Sequence, residues 1–242
     1  MKIVMIALGL LVLAATPVRA AGPEHAERFH EELPILATLR VERLEHRRYD
    51  GANTVDWRLH GWIGDGTNKL WFDSEGHRTT DGDVEEAEVR LLYSRMVSEF
   101  WDVQAGVRHD LRPRPQTTYG VLGVRGTAPW FIETSAHAFV AEDGALSARL
   151  EAEHDLLITG SLVLQPSVEV NLSSRRVHER EIGRGVTDVE LGLRLRYEFA
   201  REFAPYVGVV WERKLGQTAD LARAHGEDAG NLSFVTGVRF WF

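Results

Sequence analysis

The residues of this chain that could carry chemistry are histidines and carboxylates. The 242 residues include 10 histidines and 36 acidic residues but no cysteine, and methionine occurs only as Met1, Met5 and Met96. The absence of cysteine excludes thiolate metal sites, cysteine nucleophiles, disulfide bonds and a lipoprotein anchor. Metal binding or acid–base chemistry would therefore depend mainly on imidazole and carboxylate groups.

Two histidines lie in stretches where apolar and polar residues alternate. His60 shares alternate positions with Arg58, and His137 shares them with Glu133 and Ser135. An imidazole near carboxylates can bind a metal ion, and an imidazole beside a serine can act as the base of a hydrolase. For both histidines, a hydrogen-bonded position in the protein interior is the simpler interpretation.

The elements that position these residues are predicted β-strands. From Val189 to Arg194, for example, valine and leucine alternate with glutamate, glycine and arginine, and this period of two continues through most of the chain. We predict twelve strands, an even number that returns the C-terminus to the side of the N-terminus. The segments are roughly 35–46, 54–63, 68–74, 83–93, 101–109, 118–125, 130–141, 146–154, 161–172, 187–198, 205–213 and 231–242.

The predicted connections alternate in length, as the extracellular loops and periplasmic turns of outer-membrane barrels do. The first, third, fifth, ninth and eleventh are expected to be generous, and 173–186 and 214–230 are the longest. The even ones are expected to be mostly tight, as at 64–67. The fourth (94–100) and the seventh (142–145) fit this alternation less well.

Alternation alone does not distinguish a membrane barrel from a soluble one, because the two turn the same faces in opposite directions. The aromatic residues favour the membrane, since many lie near strand ends, where aromatic girdles meet the interfaces. The last strand ends in Phe242 and resembles the assembly signal of outer-membrane proteins. The girdle candidates are Trp57, Trp71, Tyr93, Trp101, Trp130, Tyr197, Trp211 and Trp241.

We therefore predict an all-β, transmembrane, antiparallel up-and-down β-barrel of about 12 strands over residues 34–242. It would contact outer-membrane lipid in a Gram-negative bacterium and enclose its charged residues in the lumen. Residues 1–20 fit a signal peptide, with an apolar stretch at 3–15 and a small-residue cleavage pattern. Residues 21–33 would form a short periplasmic leader.

The net charge of the chain indicates which classes of partner it can bind. Removal of the signal takes away Lys2 and Arg19, so the formal net charge changes from -8 to -10. Such an acidic chain is not expected to bind nucleic acid, which requires a surplus of basic residues. The mixture of acidic and basic residues predicted for the lumen favours ion pairs across strands over an open aqueous bore.

Four long strings carry a resemblance to a known family. They are WRLHGWIGDGTNKLWF at 57–72, EEAEVRLLYSR at 85–95, WDVQAGVRHDLRP at 101–113 and the terminal stretch 201–242. These strings resemble the copper resistance protein B family, outer-membrane proteins encoded with periplasmic copper oxidases. The resemblance covers nearly all of the chain from about residue 34. It implies copper tolerance at the cell envelope, by binding copper ions or moving them out of the periplasm, with a periplasmic copper oxidase as a partner.

The chain departs from the family in its leader. Many members have a long leader rich in methionine and histidine, whereas residues 21–33 contain no methionine. Cu(I) prefers thioether and thiolate ligands, while imidazole and carboxylate groups suit Cu(II). The expected copper-contacting set is His60, Glu86, Glu88, Glu133 and His137, and Met96, His25 and His30 are the expected ligands of an incoming ion.

Two other functions fit the same fold. A small general porin without metal preference would pass sugars whether or not copper is present. A lipid acyl hydrolase, a class known among twelve-stranded outer-membrane barrels, could use Ser135 and His137. Hydrolysis needs this pair at the lipid surface, but the alternation places Ile132 and Ala136 there and turns the pair inward. We therefore predict no enzymatic activity and no organic cofactor.

Overall fold

The computed structural model describes residues 34–242 except 50, 51, 81, 83, 178, 179 and 201. The predicted signal and leader, with His25 and His30, lie outside the described residues. The described part forms a closed antiparallel β-barrel of twelve long strands, each paired with its neighbours in sequence. The predicted fold class and strand number are confirmed. Among the described residues, no helix is long and apolar enough to cross a bilayer.

Each of the twelve long strands overlaps one predicted segment, although several continue beyond the predicted end. The strands are β1 (Leu36–Tyr49), β2 (Ala52–Gly64), β3 (Asn68–Thr79), β4 (Val84–Ser98), β5 (Trp101–Arg112), β6 (Thr117–Ala128), β7 (Ile132–Ala141), β8 (Leu146–His154), β9 (Leu156–Leu157), β10 (Leu162–Ser173), β11 (Gly185–Tyr197), β12 (Phe203–Lys214) and β13 (Gly230–Trp241). The two-residue β9 continues the pairing of β8 along β10. The 3₁₀ helix Pro129–Phe131 follows β6, and helix α1 (Gly216–Ala224) lies between β12 and β13.

The barrel is closed by β1 and β13, which pair antiparallel with Arg40 opposite Trp241. Closure leaves no strand edge facing hydrocarbon, where each unpaired backbone group would cost several kcal/mol. The two faces of the strands also differ as a membrane requires. Leu122 and Phe234 are 62% and 66% exposed on the outer wall, whereas Glu45 and Arg194 are buried inside. The predicted orientation of the two faces is confirmed.

Two predicted girdle residues lie inside the barrel instead. Trp71 is buried in an apolar cluster within the lumen, with Leu92 and Phe139. Trp241 lies beneath the guanidinium of Arg40, 5.5 Å from the ring centroid to Cζ. The girdle prediction was wrong for both tryptophans, because residues near a strand end can point to either side of the wall.

The connections define the two ends of the barrel. At the end that carries the start of β1 and the end of β13, the connections are 65–67, 99–100, 129–131, 155–161 and 198–202. Short connections beside both chain ends are typical of the periplasmic side. In the turn at 65–67, the backbone N–H groups of Asn68 and Thr67 donate to the Asp65 carboxylate and lower its pKa.

The long connections lie at the opposite, extracellular end, where 174–184 and 215–229 are the longest, as predicted. The first, third and fifth connections are shorter than predicted, because β1 to β6 continue further than the alternation suggested. The fourth is only 99–100, so it fits the rule of short periplasmic turns after all. The seventh, 142–145, remains a tight extracellular turn.

A β-bulge in β1 changes which of its residues face the lumen. The pairing with β2 shifts by one residue between Val41 and Arg43, which makes Glu42 the extra residue. Glu42 and Arg43 both line the interior. Beyond the bulge the alternation is reversed, so that Glu45 and Arg47 face inward.

Glu45 joins three strands near the closure of the barrel. Its carboxylate accepts two hydrogen bonds from Arg194 of β11, both at 3.0 Å, and one from the Tyr206 hydroxyl of β12, also at 3.0 Å. The side chains of Glu45 and Arg194 are 0% and 3% exposed. Neither charge would reach water if its partner were removed, so the pair is expected to be essential for stability.

The substitution Glu45→Ala should therefore destabilise the barrel strongly, by about 3–5 kcal/mol, because it leaves Arg194 buried without a counter-charge. Urea unfolding of the barrel in lipid vesicles, followed by tryptophan fluorescence, measures the effect. The control is Glu227→Ala, which breaks the exposed 2.9 Å pair with Lys214 and should cost less than about 1 kcal/mol. Equal losses in the two variants would contradict the role of Glu45.

Candidate functional site

The middle of the lumen is crossed by ion pairs between opposite walls. Arg58 of β2 contacts Glu75 at 2.9 Å, Glu151 at 2.6 Å and Glu169 at 3.0 Å. Since β8, which carries Glu151, lies half-way round the barrel from β2, the Arg58–Glu151 pair spans the bore. Arg149 of β8 reaches back to Glu75 of β3 in the opposite direction. We call the network the ion-pair belt; it consists of Arg58, Glu75, Glu88, Arg90, Arg108, Arg149, Glu151 and Glu169.

Glu88 is the part of the belt most enclosed by positive charge. Its carboxylate lies 2.5 Å from Arg108, 3.1 Å from Arg90 and 3.4 Å from Arg149. Three guanidinium groups neutralise this carboxylate and occupy its oxygens. Glu88 is therefore a partner of arginines within the belt, and a cation would have to displace them to bind it.

The belt borders an inner and an outer cavity of the described lumen, and a third cavity, of about 320 Å³, lies beside it at Arg47 and Glu190. The inner cavity, of about 400 Å³, extends from the belt to the periplasmic end. The outer cavity, of about 520 Å³, lies beneath the extracellular loops. From the loop 174–184, Arg180 reaches into the outer cavity and contacts Asp110 at 2.5 Å. Side chains of the inner cavity that could bind a metal ion include Glu42, His60, Met96, Glu133, His137 and Glu153.

The orientation of His137 in the inner cavity is fixed by a chain of hydrogen bonds. Lys69 and Ser94 both donate to Asp102, at 2.7 and 2.9 Å. Because the Ser94 hydroxyl donates its hydrogen to Asp102, it accepts one from the Gln104 amide nitrogen at 3.4 Å. The Gln104 carbonyl oxygen is then left to accept the hydrogen of His137 Nε2, at 2.8 Å.

This tautomer leaves a lone pair on Nδ1 of His137. Among the described residues, Nδ1 has no hydrogen-bond partner although the atom is buried, and the whole residue is only 4% exposed. A buried nitrogen of this kind normally has a hydrogen-bond partner, so the lack of a partner for Nδ1 needs an explanation. A metal-binding imidazole has the same arrangement, in which one nitrogen donates to a protein oxygen and the other binds the ion.

His60 lies on another wall of the same cavity. Its Nδ1 is 3.4 Å from Oε1 of Glu42, the bulge residue, and its ring is 5.4 Å from the ring of Trp71. Trp71 also lies beneath the guanidinium of Arg125, at 4.9 Å. Oε1 of Glu42 is buried without a hydrogen bond within the described part of the chain. The cavity thus contains a second imidazole with a carboxylate beside it.

The structure brings together four of the predicted copper ligands and separates two others from them. His60, Met96, Glu133 and His137 all line the inner cavity. Glu88 lies in the belt. The side chain of Glu86 is 66% exposed and lies 3.9 Å from His77 at the extracellular end, so the predicted association of Glu86 and Glu88 with His60 is absent. In the described ranges, no three histidine or acidic side chains converge closely enough to hold an ion as they stand.

The geometry around Ser135 does not form the pair that hydrolysis requires. Ser135 and His137 both face the lumen, as the alternation predicted, and are 7% and 4% exposed. The Ser135 hydroxyl donates to Glu151 at 2.7 Å, whereas the hydrogen on His137 Nε2 goes to Gln104. The Ser135 hydroxyl is thus hydrogen-bonded to Glu151 of the ion-pair belt and not to His137. It also faces the lumen, away from the lipid in which an acyl substrate would lie.

The sequence reasoning missed several residues that shape the site. Glu75 was missed because β3 was expected to end at residue 74, and Arg125 because it was taken for the end of β6. Gln104 shares a face with Asp102, so its inward orientation could have been predicted. The contact of Gln104 with His137 could not have been predicted, because the two residues lie on different strands that are not neighbours.

The fold resembles those of solved porins. The chain matches the NanC porin with a TM-score of 0.56 and 14% identity, covering 85% of this chain and 99% of the porin. It matches the KdgM porin in complex with disordered oligogalacturonate with a TM-score of 0.52 and 12% identity, at the same coverage. At these identities the likeness shows the fold alone. Together with the lumen described above, it defines the protein as an outer-membrane β-barrel whose bore is crossed by ion pairs.

Sequence comparison then identifies the family. The family model described as copper resistance protein B precursor matches residues 35–242. The chain is 44% identical over 202 residues to copper resistance protein B of Escherichia coli and 43% identical to the copper resistance protein B homolog of Pseudomonas syringae pv. tomato. Each alignment covers 84% of this chain and 68% of the relative. The chain belongs to the copper resistance protein B family.

The belt should limit passage through the barrel. Removing a whole cross-bore pair, with Arg58→Ala and Glu151→Ala together, leaves the net charge unchanged and should increase sugar flux, because the pair that spans the bore is lost. Liposome swelling with a small sugar measures the flux. The control removes the periplasmic pair of Arg196 and Asp155, 2.7 Å apart, and should leave the flux unchanged. Rapid swelling with the unmodified barrel would instead favour a general porin.

Proposed function

We propose that this outer-membrane barrel acts in copper resistance by binding copper ions in the inner cavity, from the periplasmic side. The observation that carries the proposal is the bare, buried Nδ1 of His137 in a cavity that also contains His60 and carboxylates. Membership of the family supports copper as the ion. Imidazole and carboxylate ligands with a single thioether, Met96, favour Cu(II) over Cu(I).

The charges in the inner cavity are compatible with a cation. Glu42, Glu133 and Glu153 face it, and Oε1 of Glu42 has no hydrogen bond within the described part of the chain. Arg40 and Arg125 also line the cavity and oppose a cation in part. Since the ligands do not converge as they stand, binding requires side-chain rotation of His60 or Glu42 towards His137. Such rotations are ordinary on ligand binding.

The ion-pair belt favours binding over free diffusion. An ion that entered from the periplasm would meet Arg58 and Arg90 of the belt before it reached the outer cavity. For a cation to pass, the guanidinium groups of the belt would have to separate from their carboxylates. Breaking buried ion pairs in this way is costly. We therefore propose that the barrel holds copper and exchanges it with a periplasmic copper protein, such as a copper oxidase.

Copper analysis of the purified barrel tests this proposal. After exposure to Cu(II) and removal of unbound metal, the unmodified barrel should retain about one copper ion per chain, and His137→Ala should bind it roughly 10–100-fold more weakly because a ligand is lost. The matched control is His109→Ala, since His109 faces away from the lumen and is bonded to Thr118 at 3.0 Å.

Two results would overturn the proposal: no retained copper in the unmodified barrel, or equal affinity in the His137 and His109 variants. Copper tolerance of cells that carry each variant gives a second readout, in which only the His137 variant should lose protection.

Gln104 should act as a positioning residue for this site. Gln104→Leu removes the acceptor that holds the hydrogen on Nε2 of His137 and should weaken copper binding roughly tenfold. Gln104→Glu keeps an acceptor and should preserve most of the affinity. Nitrogen couplings in the Cu(II) electron paramagnetic resonance spectrum should change in the leucine variant. Loss of affinity without any spectroscopic change would indicate a structural role instead.

A further inference from the structure

A basic patch lies on the outer wall at the extracellular end of β1 and β3. It consists of His46, Arg48 and Arg78, all exposed. His46 is opposite Val55 of β2, and Val55 is opposite Arg78, so these residues form one row across three strands. We call His46, Arg48 and Arg78 the outer basic patch.

The β-bulge accounts for the outward orientation of the β1 part of this patch. Because the alternation is reversed beyond Glu42, Glu45 and Arg47 point into the lumen, and His46 and Arg48 point away from it. On β3, Arg78 follows His77, which contacts carboxylates at the mouth of the barrel.

The surroundings of the two outward arginines differ from those of their lumen neighbour Arg47. Arg47 contacts Asp56 at 3.0 Å and Glu190 at 3.1 Å. Within the part of the chain that the structure describes, neither Arg48 nor Arg78 takes part in an ion pair. A guanidinium group on the outer wall needs an anion or water, because hydrocarbon cannot solvate it.

The position of Arg48 and Arg78 along their strands indicates which anion they could bind. Arg48 and Arg78 are each one residue from the extracellular end of their strand, Tyr49 and Thr79, and therefore lie at the level of the lipid headgroups of the outer leaflet. Two strand spacings and a two-residue offset separate their Cα atoms by roughly 12 Å. Arginine side chains are long enough for both to reach one group between them, above the exposed Asn53 of β2, which is opposite Arg48.

We propose that the outer basic patch binds a phosphate of the phosphorylated glycolipid that forms the outer leaflet of Gram-negative outer membranes. Arginine binds phosphate through two parallel charge-assisted hydrogen bonds, and Asn53 adds an amide donor at the same place. The bound lipid would fix the barrel wall where β1, β2 and β3 meet the leaflet. This binding is independent of copper and of the inner cavity.

Native mass spectrometry of the folded barrel with added lipid A tests the proposal. The unmodified barrel should retain lipid A, and Arg48→Gln with Arg78→Gln should bind it about tenfold more weakly or worse, since charge-assisted bonds are lost. The control is Arg95→Gln, because Arg95 is an exposed arginine near the periplasmic end of β4 and should have no effect.

Lipid A without its phosphates and phosphatidylglycerol are the comparison lipids, and each should bind more weakly than phosphorylated lipid A. Equal retention of phosphorylated and dephosphorylated lipid A, equal retention of phosphatidylglycerol, or equal binding by the double variant and the Arg95 variant would each overturn the proposal. The heat-dependent gel mobility of every variant verifies that the barrel has folded.

Discussion

The pairing of charges across the bore is the interaction on which this barrel depends. An unpaired ion in the lumen would lose several kcal/mol of solvation, so carboxylates within reach stabilise the buried arginines. The belt meets this requirement by joining walls that are remote in sequence: Arg58 contacts Glu151 across 93 residues, and Arg149 contacts Glu75 across 74. Opposite walls are thereby tied together, and the bore at this level is filled with side chains.

The belt also determines which side chains of the lumen remain available to bind a cation. Carboxylates within it, such as Glu88, are surrounded by guanidinium groups and are not available to a cation. Below the belt, Arg40 and Arg125 line the inner cavity without an ion pair among the described residues, and the ring of Trp71 adds an apolar surface. There a buried nitrogen, Nδ1 of His137, has no partner within the described residues. The site is thus where the charge pairing of the lumen is incomplete.

Most of the architecture could be predicted from the sequence, because alternation with a period of two identifies both strands and faces. Twelve strands, the inward orientation of His60, Ser135 and His137, and the two longest loops followed from it. Strand ends were predicted less well, since the hydrogen-bonded ladder continues through polar residues near the barrel rims. Glu75 was missed for this reason, and the facing of Trp71 could not be read from its proximity to a strand end.

The site was harder to predict than the fold, because its parts are joined by contacts between distant strands. Alternation places Gln104 and His137 in the lumen but gives no measure of their distance, so the bond that selects the histidine tautomer has no sequence signal. The same limit explains Glu86 and Glu88. Two residues apart on one strand, they were expected to act as a pair, but strand β4 carries one of them into the belt and the other to the exposed mouth.

One inserted residue in β1 connects several features of the molecule. The bulge at Glu42 left a signal in the sequence, because the apolar residues Val41 and Leu44 are three positions apart instead of two. Glu42 lies on the same inward face as Arg40, and the reversed alternation beyond it places Glu45 against Arg194. The same reversal turns Arg48 to the outer wall. The inward position of Glu45 and the outward position of Arg48 therefore have a common structural origin, because a strand with uninterrupted alternation from Glu42 would turn Glu45 outward and Arg48 inward.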